Sequence, residues 1–516
     1  MKNTCNTSFI RNYSTRNTNA FIADISDIDW SEVLNESDPN YAYDHFFDKF
    51  NSSNNCNFPF IKIKNNKRKR QHPWITKGIL TSIKTKNKLF KVYLKNPHAL
   101  NKTPYTKYRN KLNHVIRVSK KLYYANKLSN NKDPKSIWAT INTIIHNKKH
   151  DISYPNSFKS ENNVDVSDSK DISNNFNDFF INIGPSLAEN IQSSCNFTDF
   201  LPPCMSNSVN LFLYPIQSDE LAAVSFTSLK PNKAAGYDEF KPGIVKKVIP
   251  FIISPLCHIF NLSFETGIFP DKLKIAKVTP IYKKGDKDRF DNYRPISVLS
   301  CFSKIIERLL FNRVHNFLKN HNILNDKQFG FRPNHSTEQA LFDVVNNLSF
   351  AIDNKLSSVG IFLDLSKAFD TIHHGILLSK LSYCGIRGVT NKLFSSYLSS
   401  RRQFTIFNNV KSDELLIRCG VPQGSILGPL LFIIYVNDIH YCCNNSSVIS
   451  FADDTYIFFS DDDPNNLQNT INHELVHFYD SFSCNKLSLN ISKTNFIIFG
   501  NESYSWDLYI KISNVG

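Results

Sequence analysis

The sequence lacks the features of a secreted or membrane-inserted protein. Its opening residues, MKNTCNTSFIRNYST, contain no uninterrupted apolar stretch able to act as a signal peptide, and no apolar run elsewhere reaches membrane-spanning length. The 11 cysteines are scattered from Cys5 to Cys484, and no two have the CxxC spacing of a zinc site or redox motif. We therefore expect reduced thiols in a protein of the cytoplasm and nucleus that has no membrane partner.

What the sequence does contain is positive charge and ample apolar material. Lys and Arg number 61 against 45 Asp and Glu, which gives a formal charge of +16. Such a balance favours a polyanionic partner such as nucleic acid, although a merely soluble basic protein has the same composition. The 516 residues are 41% hydrophobic, enough for about two or three structural units.

Composition changes along the chain and predicts its division. Residues 1–64 are an Asn-rich N-terminal segment with one amphipathic patch, 41–50, and we assign them no chemistry. Residues 65–150 form a basic helical linker region whose helices either track a phosphate backbone or are simply solvated. Residues 151–205, rich in Asn, Ser and Asp, are interpreted as a polar linker.

The remainder of the chain has the mixed periodicity of an α+β fold. Short apolar runs at 359–363 and 448–451 predict strands, and the patterns of 305–318 and 427–435 predict helices. No internal repeat is visible.

Acidic residues interrupt two of these apolar runs. Asp364 ends the run 359–363, and Asp453 and Asp454 lie between two apolar stretches that read as strand, turn, strand. Neighbouring carboxylates repel one another unless a cation lies between them, and oxygen-only ligands suit Mg²⁺. An Asp-Asp pair is also common in surface turns, and we interpret the acidic run 461–464 as a loop of that kind.

Several blocks, read in order, resemble the reverse transcriptases of non-LTR retrotransposons, particularly jockey-like elements. The resemblance implies right-hand polymerase fingers at 206–350 and a palm at 351–516, with palm sheet and flanking helices, preceded by the basic helical region. The blocks are LKPNKAAGYD (229–238), AKVTPIYKKG (276–285), NYRPISVL (292–299), FGFRP (329–333), HST (335–337), FLDLSKAFD (362–370), GVPQGSILGP (420–429), FADD (451–454) and LNISKT (489–494).

The resemblance implies the chemistry of an RNA-directed DNA polymerase. Asp364, Asp453 and Asp454, with the backbone carbonyl of Leu365, would hold two Mg²⁺ ions. A DNA primer 3′-hydroxyl would attack a deoxynucleoside triphosphate paired to an RNA template. The element's own RNA is a further expected partner, in a ribonucleoprotein.

The same resemblance assigns residues to the incoming nucleotide. Phe369 would clash with a 2′-hydroxyl and so select deoxynucleotides, although such a residue is otherwise an ordinary core phenylalanine. Arg294 and one of Lys283 or Lys284 would neutralise the triphosphate, unless they belong to a solvated basic loop.

Three more residues complete the expected site. Gln423 and Gly424 would lie beneath the nucleotide and template, where glycine permits close backbone approach. Lys493 would protonate the leaving pyrophosphate, or is a surface lysine.

The pattern also departs from the family. Phe451 stands where relatives often have Tyr, no endonuclease constellation precedes the linker, and the chain stops before the expected primer grip, with the thumb largely missing. An inactive truncated fragment that only binds nucleic acid is therefore an alternative. An RNA-templated RNA polymerase or a group II intron maturase shares the palm. Phe369 as a sugar gate disfavours RNA synthesis, and the Pro73-Trp74 linker favours the retrotransposon branch. A metal-dependent hydrolase would leave the GVPQG segment without a role.

Overall fold

A computed structural model describes residues 7–64, 72–131, 133–146, 154–160, 163–189, 191, 196–201, 209–443 and 445–499. Two segments lie outside these ranges. They are the four consecutive basic residues 67–70 near the start of the basic region and the C-terminal residues expected to precede a primer grip. The α-helices are α1 (Thr15–Ser26), α2 (Ser31–Leu34), α3 (Pro39–Asn57), α4 (Lys77–Lys95), α5 (Ala99–Ser129), α6 (Pro134–His146), α7 (Ser169–Glu189), α8 (Ser218–Ser228), α9 (Pro242–Thr266), α10 (Cys301–Asn320), α11 (Thr337–Asp353), α12 (His374–Tyr383), α13 (Gly388–Leu398), α14 (Leu427–Tyr435) and α15 (Pro464–Cys484).

Within the described ranges the strands form four sheets. The predicted strands 359–363 and 448–451 and the predicted helices 305–318 and 427–435 are confirmed as β7, β11, α10 and α14. The strands are β1 (Thr7–Arg11), β2 (Phe60–Lys64), β3 (Phe158–Lys159), β4 (Asp165–Val166), β5 (Ile275–Tyr282), β6 (Tyr293–Val298), β7 (Ser357–Leu363), β8 (Arg402–Phe407), β9 (Val410–Lys411), β10 (Leu415–Leu416), β11 (Ser447–Phe451), β12 (Asp454–Asp461) and β13 (Asn495–Phe499).

The basic region forms a helical hairpin in one compact unit, Met1–Ile10 with Phe60–Tyr154. Thr76 is the N-cap of helix α4, and its Oγ1 accepts a hydrogen bond from the backbone N–H of Ile79. Helices α4 and α5 contain six and eight Lys or Arg and no Asp or Glu. Among the described residues of this unit, the buried side chains are Ile79, Leu112, Tyr124 and Thr140.

The second unit, Arg11–Pro59 with Pro155–Gly516, has an extensive hydrophobic core around α9, α10 and α14. Helix α3 belongs to that core, because Tyr43, Phe46 and Phe50 follow helical spacing and are buried on one face. The ring centroid of Phe46 lies 5.1 Å from that of Phe302 in α10. The structure thus places most of the predicted N-terminal segment with the α+β unit, because these rings are buried only against it.

The predicted polar linker 151–205 is also not merely a linker. It contains α7, in which Ile172, Phe176 and Phe180 are buried. Asn177 of this helix donates hydrogen bonds to the backbone oxygens of Gln403 and Asp413. The polar side chains that suggested a loose connection therefore either face solvent or bind the backbone of a neighbouring sheet.

Two sheets of the second unit position the predicted site. In the four-stranded sheet the order is β11-β12-β7-β13, and all neighbours are antiparallel. In the five-stranded sheet the path is β10-β8-β5-β6, with β9 paired to β8. Strand β8 lies in the segment predicted as palm and pairs in parallel with β5, which lies in the predicted fingers. One sheet therefore contains strands from both sides of the predicted boundary between fingers and palm.

Two expectations drawn from absences are corrected by the structure. Helix α9 is long and apolar enough to cross a membrane. In the sequence Pro250, Pro255 and charged residues interrupt its apolar stretches, but in the structure these stretches form one helix. Its face containing Val248, Ile252 and Leu256 is instead buried in the core. Cys484 is disulfide-bonded, so the expectation that all the thiols are reduced is wrong for this residue.

Candidate active site

The three predicted acids meet at one end of the four-stranded sheet. Strand β12 pairs with β7 as far as Thr455 opposite Leu363, and Asp454 and Asp364 are the next residues of the two strands beyond that pair. Residues opposite each other on antiparallel strands share one face of the sheet. Asp453 lies in the tight turn between β11 and β12, in which Phe451 pairs with Asp454. The strand-turn-strand prediction is confirmed.

The electrostatics of the acids match those of a cation site. Burial raises the pKa of Asp454, and the like charges of Asp453 and Asp364 raise it further, whereas Lys493 lowers it. Lys493 Nζ donates a hydrogen bond of 2.6 Å to Asp364 Oδ2. One cation therefore already compensates part of the acidic charge.

The donor set suits Mg²⁺, since it offers carboxylate and carbonyl oxygens. The bridge between Leu365 and Leu489 uses the carbonyl of Asp364 and the N–H of Ser366, so the Leu365 carbonyl points away from Leu489. In the described parts of the chain no group of three or more His, Cys, Asp or Glu side chains is arranged so that it could hold a metal ion by itself. Mg²⁺ usually retains several waters and substrate phosphates, so an open set of acids is compatible with it.

The predicted triphosphate cations come together on the five-stranded sheet. Lys283 and Lys284 follow β5, and Arg294 lies on β6 opposite Ile281. Burial lowers the pKa of Lys283, and nearby positive charges lower it further. Those charges are Arg294, Lys493, Lys284 and Lys367.

Lys367 was not among the predicted site residues, although it lies inside the FLDLSKAFD block. Burial lowers its pKa, while the carboxylates of Asp370 and Asp291 raise it. Its Nζ lies 5.7 Å from the ring centroid of Phe179 in α7, and its φ is +50°, which is rare for a non-glycine residue. The sequence signal was present: a lysine three residues after a candidate metal ligand.

Gln423 is held by a residue that the sequence did not single out. Its Nε2 lies 2.8 and 2.9 Å from the two carboxylate oxygens of Asp370. Burial raises the pKa of Asp370 to about 6, and the hydrogen bond from Gln423 opposes that shift. The side-chain carbonyl of Gln423 is thereby fixed in orientation. A Cβ on Gly184 of α7 would overlap the Asp370 backbone oxygen, so helix α7 packs closely against the residue that binds Gln423.

Gly424 has a structural reason within the fold, beside the role expected for it. Its φ is +121°, and a Cβ there would lie 2.6 Å from the backbone oxygen of Ser297 on β6. The N–H of Ser297 donates to the carbonyl of Gln423. The glycine therefore permits close approach to the five-stranded sheet.

Phe369 lies between two aromatic rings. Its ring stacks on Phe432 with centroids 4.7 Å apart, and Phe331 meets it edge-on at 5.8 Å. Phe432 is fully buried, whereas Phe331 is 42% exposed. Phe369 is thus packed on the core and only partly buried.

Comparison with known proteins identifies the domain. A profile of the family described as reverse transcriptase (RNA-dependent DNA polymerase) matches residues 281–507. The probable RNA-directed DNA polymerase from transposon BS of Drosophila melanogaster is 32% identical over 267 residues, 49% of this chain and 28% of that protein. The RNA-directed DNA polymerase from mobile element jockey of Drosophila melanogaster is 32% identical over 266 residues, 49% of this chain and 29% of that protein. Residues 281–507 therefore contain a reverse transcriptase domain, and the chain is similar to the polymerases of these transposable elements.

A third relative extends the same comparison. The probable RNA-directed DNA polymerase from transposon X-element of Drosophila melanogaster is 31% identical over 290 residues, 55% of this chain and 32% of that protein. The chain thus spans about a third or less of the length of these relatives. The reverse transcriptase match contains every site residue named above except those of α7, and it implies a polymerase palm and fingers, with which the mixed helices and sheets agree.

Proposed function

We propose that this reverse transcriptase adds deoxynucleotides to a DNA primer 3′-hydroxyl on an RNA template. The observation that carries the proposal is the meeting of Asp364 and Asp454 across β7 and β12, beside Asp453 in the turn. Asp364, Asp453, Asp454 and the Leu365 carbonyl would hold two Mg²⁺ ions. When bound, these ions would activate the attacking hydroxyl and stabilise the leaving oxygen.

The chain's own cations would bind the triphosphate. Burial lowers the pKa of Lys283, the charges of Arg294 and Lys284 lower it further, and an anionic ligand would relieve that repulsion. Lys367 would add a further positive charge from the palm side. Lys493 donates a hydrogen bond to Asp364 in the structure. It would reach the pyrophosphate as a proton donor only after that hydrogen bond is broken.

The nucleotide's sugar and base would meet the remaining residues. Phe369, backed by Phe432, would exclude a 2′-hydroxyl. Gln423, fixed by Asp370, would present its side-chain carbonyl as an acceptor beneath the nucleotide. The basic helices α4 and α5, which contain no acid, would bind template or element RNA through phosphates.

The test is deoxynucleotide incorporation on a primed RNA template with Mg²⁺. Asp453→Ala combined with Asp454→Ala should lower the rate by at least about 1,000-fold, which corresponds to ~4 kcal/mol of barrier. Asp461→Ala combined with Asp462→Ala is the matched control, since it removes two adjacent acids at the other end of β12 and should retain the rate.

Two results would contradict the proposal. Equal loss in both double variants would remove the assigned metal acids from the mechanism. No incorporation by the wild type, with primed RNA still bound at low salt, would instead favour the alternative of an inactive nucleic-acid-binding fragment.

A further inference from the structure

A loop outside the catalytic motifs is attached to the catalytic turn. Residues 327–331, here named the clamp loop, run beside the edge strand β11. The N–H of Ser450 donates to the carbonyl of Lys327, and the N–H of Phe329 donates to the carbonyl of Ser450 at 2.8 Å. The clamp loop therefore extends the sheet just before the turn that contains Asp453.

Within the clamp loop, Gln328 binds the turn with its side chain. The carboxamide is 1% exposed, and its Oε1 accepts hydrogen bonds from the N–H groups of Gly330 and Ala452 at 2.8 and 3.1 Å. Its Nε2 lies 3.5 Å from the carbonyl oxygen of Ala452. One side chain thus engages both backbone polar groups of the residue that precedes the two acids.

The turn needs such support because of its backbone conformation. Ala452 has φ of +61°, in the left-handed region that residues with a Cβ rarely adopt. A Cβ on Gly330 would overlap the N–H of Ala452, so only glycine allows the clamp loop to approach this closely. A strained turn persists only where its surroundings hold it, and here the clamp loop is that surrounding.

We propose that Gln328 is a positioning residue that fixes the catalytic turn, and through it Asp453 and Asp454, in the geometry for nucleotide transfer. The inference rests on the proposed function. Gln328 touches no reacting atom. It acts by holding Ala452, whose peptide orients the following carboxylates.

The test compares Gln328→Met with a matched variant elsewhere in the unit. Methionine keeps nearly the length of the side chain but forms none of the three contacts. Asn261→Leu is the control, because the Asn261 carboxamide likewise binds both the N–H and the carbonyl of one backbone residue, Ile216. Two quantities are measured in the full chain: amide hydrogen exchange of residues 447–456 and steady-state deoxynucleotide incorporation.

For Gln328→Met we expect faster exchange in residues 447–456 and a fall in kcat of about 10- to 100-fold, with KM for the nucleotide within about threefold. Asn261→Leu should alter neither. Unchanged amide exchange in Gln328→Met would show that Gln328 does not hold the turn. Faster exchange with an unchanged kcat would show that holding the turn does not position the acids for nucleotide transfer. A wild type without polymerase activity would contradict the proposed function instead, and the exchange rates alone would then decide whether Gln328 holds the turn.

Discussion

The unit Arg11–Pro59 with Pro155–Gly516 contains the reverse transcriptase match and is called here the reverse transcriptase unit. Its four-stranded sheet and the α4–α5 hairpin of the other unit differ in what surrounds their side chains. In the sheet, Val359, Ile361 and Ile457 are each at most 1% exposed, and the acids appear only where the strands end. In the hairpin, lysines and arginines line two long helices without one acid, and little is buried. Like charges four residues apart, such as Lys107 and Lys111, oppose helix formation.

This difference indicates two sources of stability in one chain. Burial of apolar surface holds the reverse transcriptase unit together and lets it keep a few charges in unfavourable places, where chemistry needs them. The hairpin has a small apolar interface, so its charges should be compensated by salt or by a polyanion. The following predictions test that contrast.

The largest effect is expected from a core ring outside the family match. Phe46→Ala should destabilise the reverse transcriptase unit by about 3–5 kcal/mol, because Phe46 is fully buried against Phe50 and Phe302. Urea unfolding measures the loss. Phe342→Ala, whose ring is 64% exposed, is the control and should change stability by no more than about 0.5 kcal/mol. Equal effects would show that α3 does not belong to the core.

A buried charge gives a smaller, pH-dependent effect. Burial raises the pKa of Asp238 to about 6, while Ser300 donates a hydrogen bond to it. Because the folded pKa lies above the unfolded value of about 3.9, the stabilisation is complete below about pH 4 and is lost as the pH rises through about 6.

Asp238→Asn cannot ionise, so it provides the reference. The wild type should lose about 2–3 kcal/mol relative to this variant between pH 4 and pH 7. Urea midpoints at the two pH values measure the difference. Parallel stability curves for the two proteins would mean that Asp238 is hydrated in solution.

The smallest effect concerns the hairpin. Replacing Lys107, Lys111, Lys121 and Lys127 with Gln should weaken RNA binding about 10-fold at physiological salt and reduce the slope of log affinity against log salt by up to about 3. Fluorescence anisotropy across a salt series measures both. The same four-charge loss at exposed Lys230, Lys233, Lys319 and Lys392 of the other unit should have less effect. Equal losses of RNA affinity in the two variants would show that the hairpin contributes to binding only through its general positive charge.

Much of the site could be predicted because its residues are local in sequence. The strand β7, which Asp364 follows, and the turn with Asp453 and Asp454 follow from apolar runs interrupted by acids, and all three acids lie within the matched residues 281–507. The residues that were missed act across long separations. Gln328 reaches Ala452 and Gly184 reaches Asp370, and no spacing along the chain indicates either contact.

By itself, the sequence determined the acids, the cations, their order and the helices and strands with clear periodicity, since these depend on residue type and near neighbours. Only the tertiary structure decided that α3 and α7 join the reverse transcriptase unit, that β8 pairs with β5, and that the buried Gln328 binds the turn containing Asp453. The physical reason is the same in each case. Burial and hydrogen bonding reward whichever groups meet in space, and a polar or Asn-rich segment shows its buried face only when its partner is present.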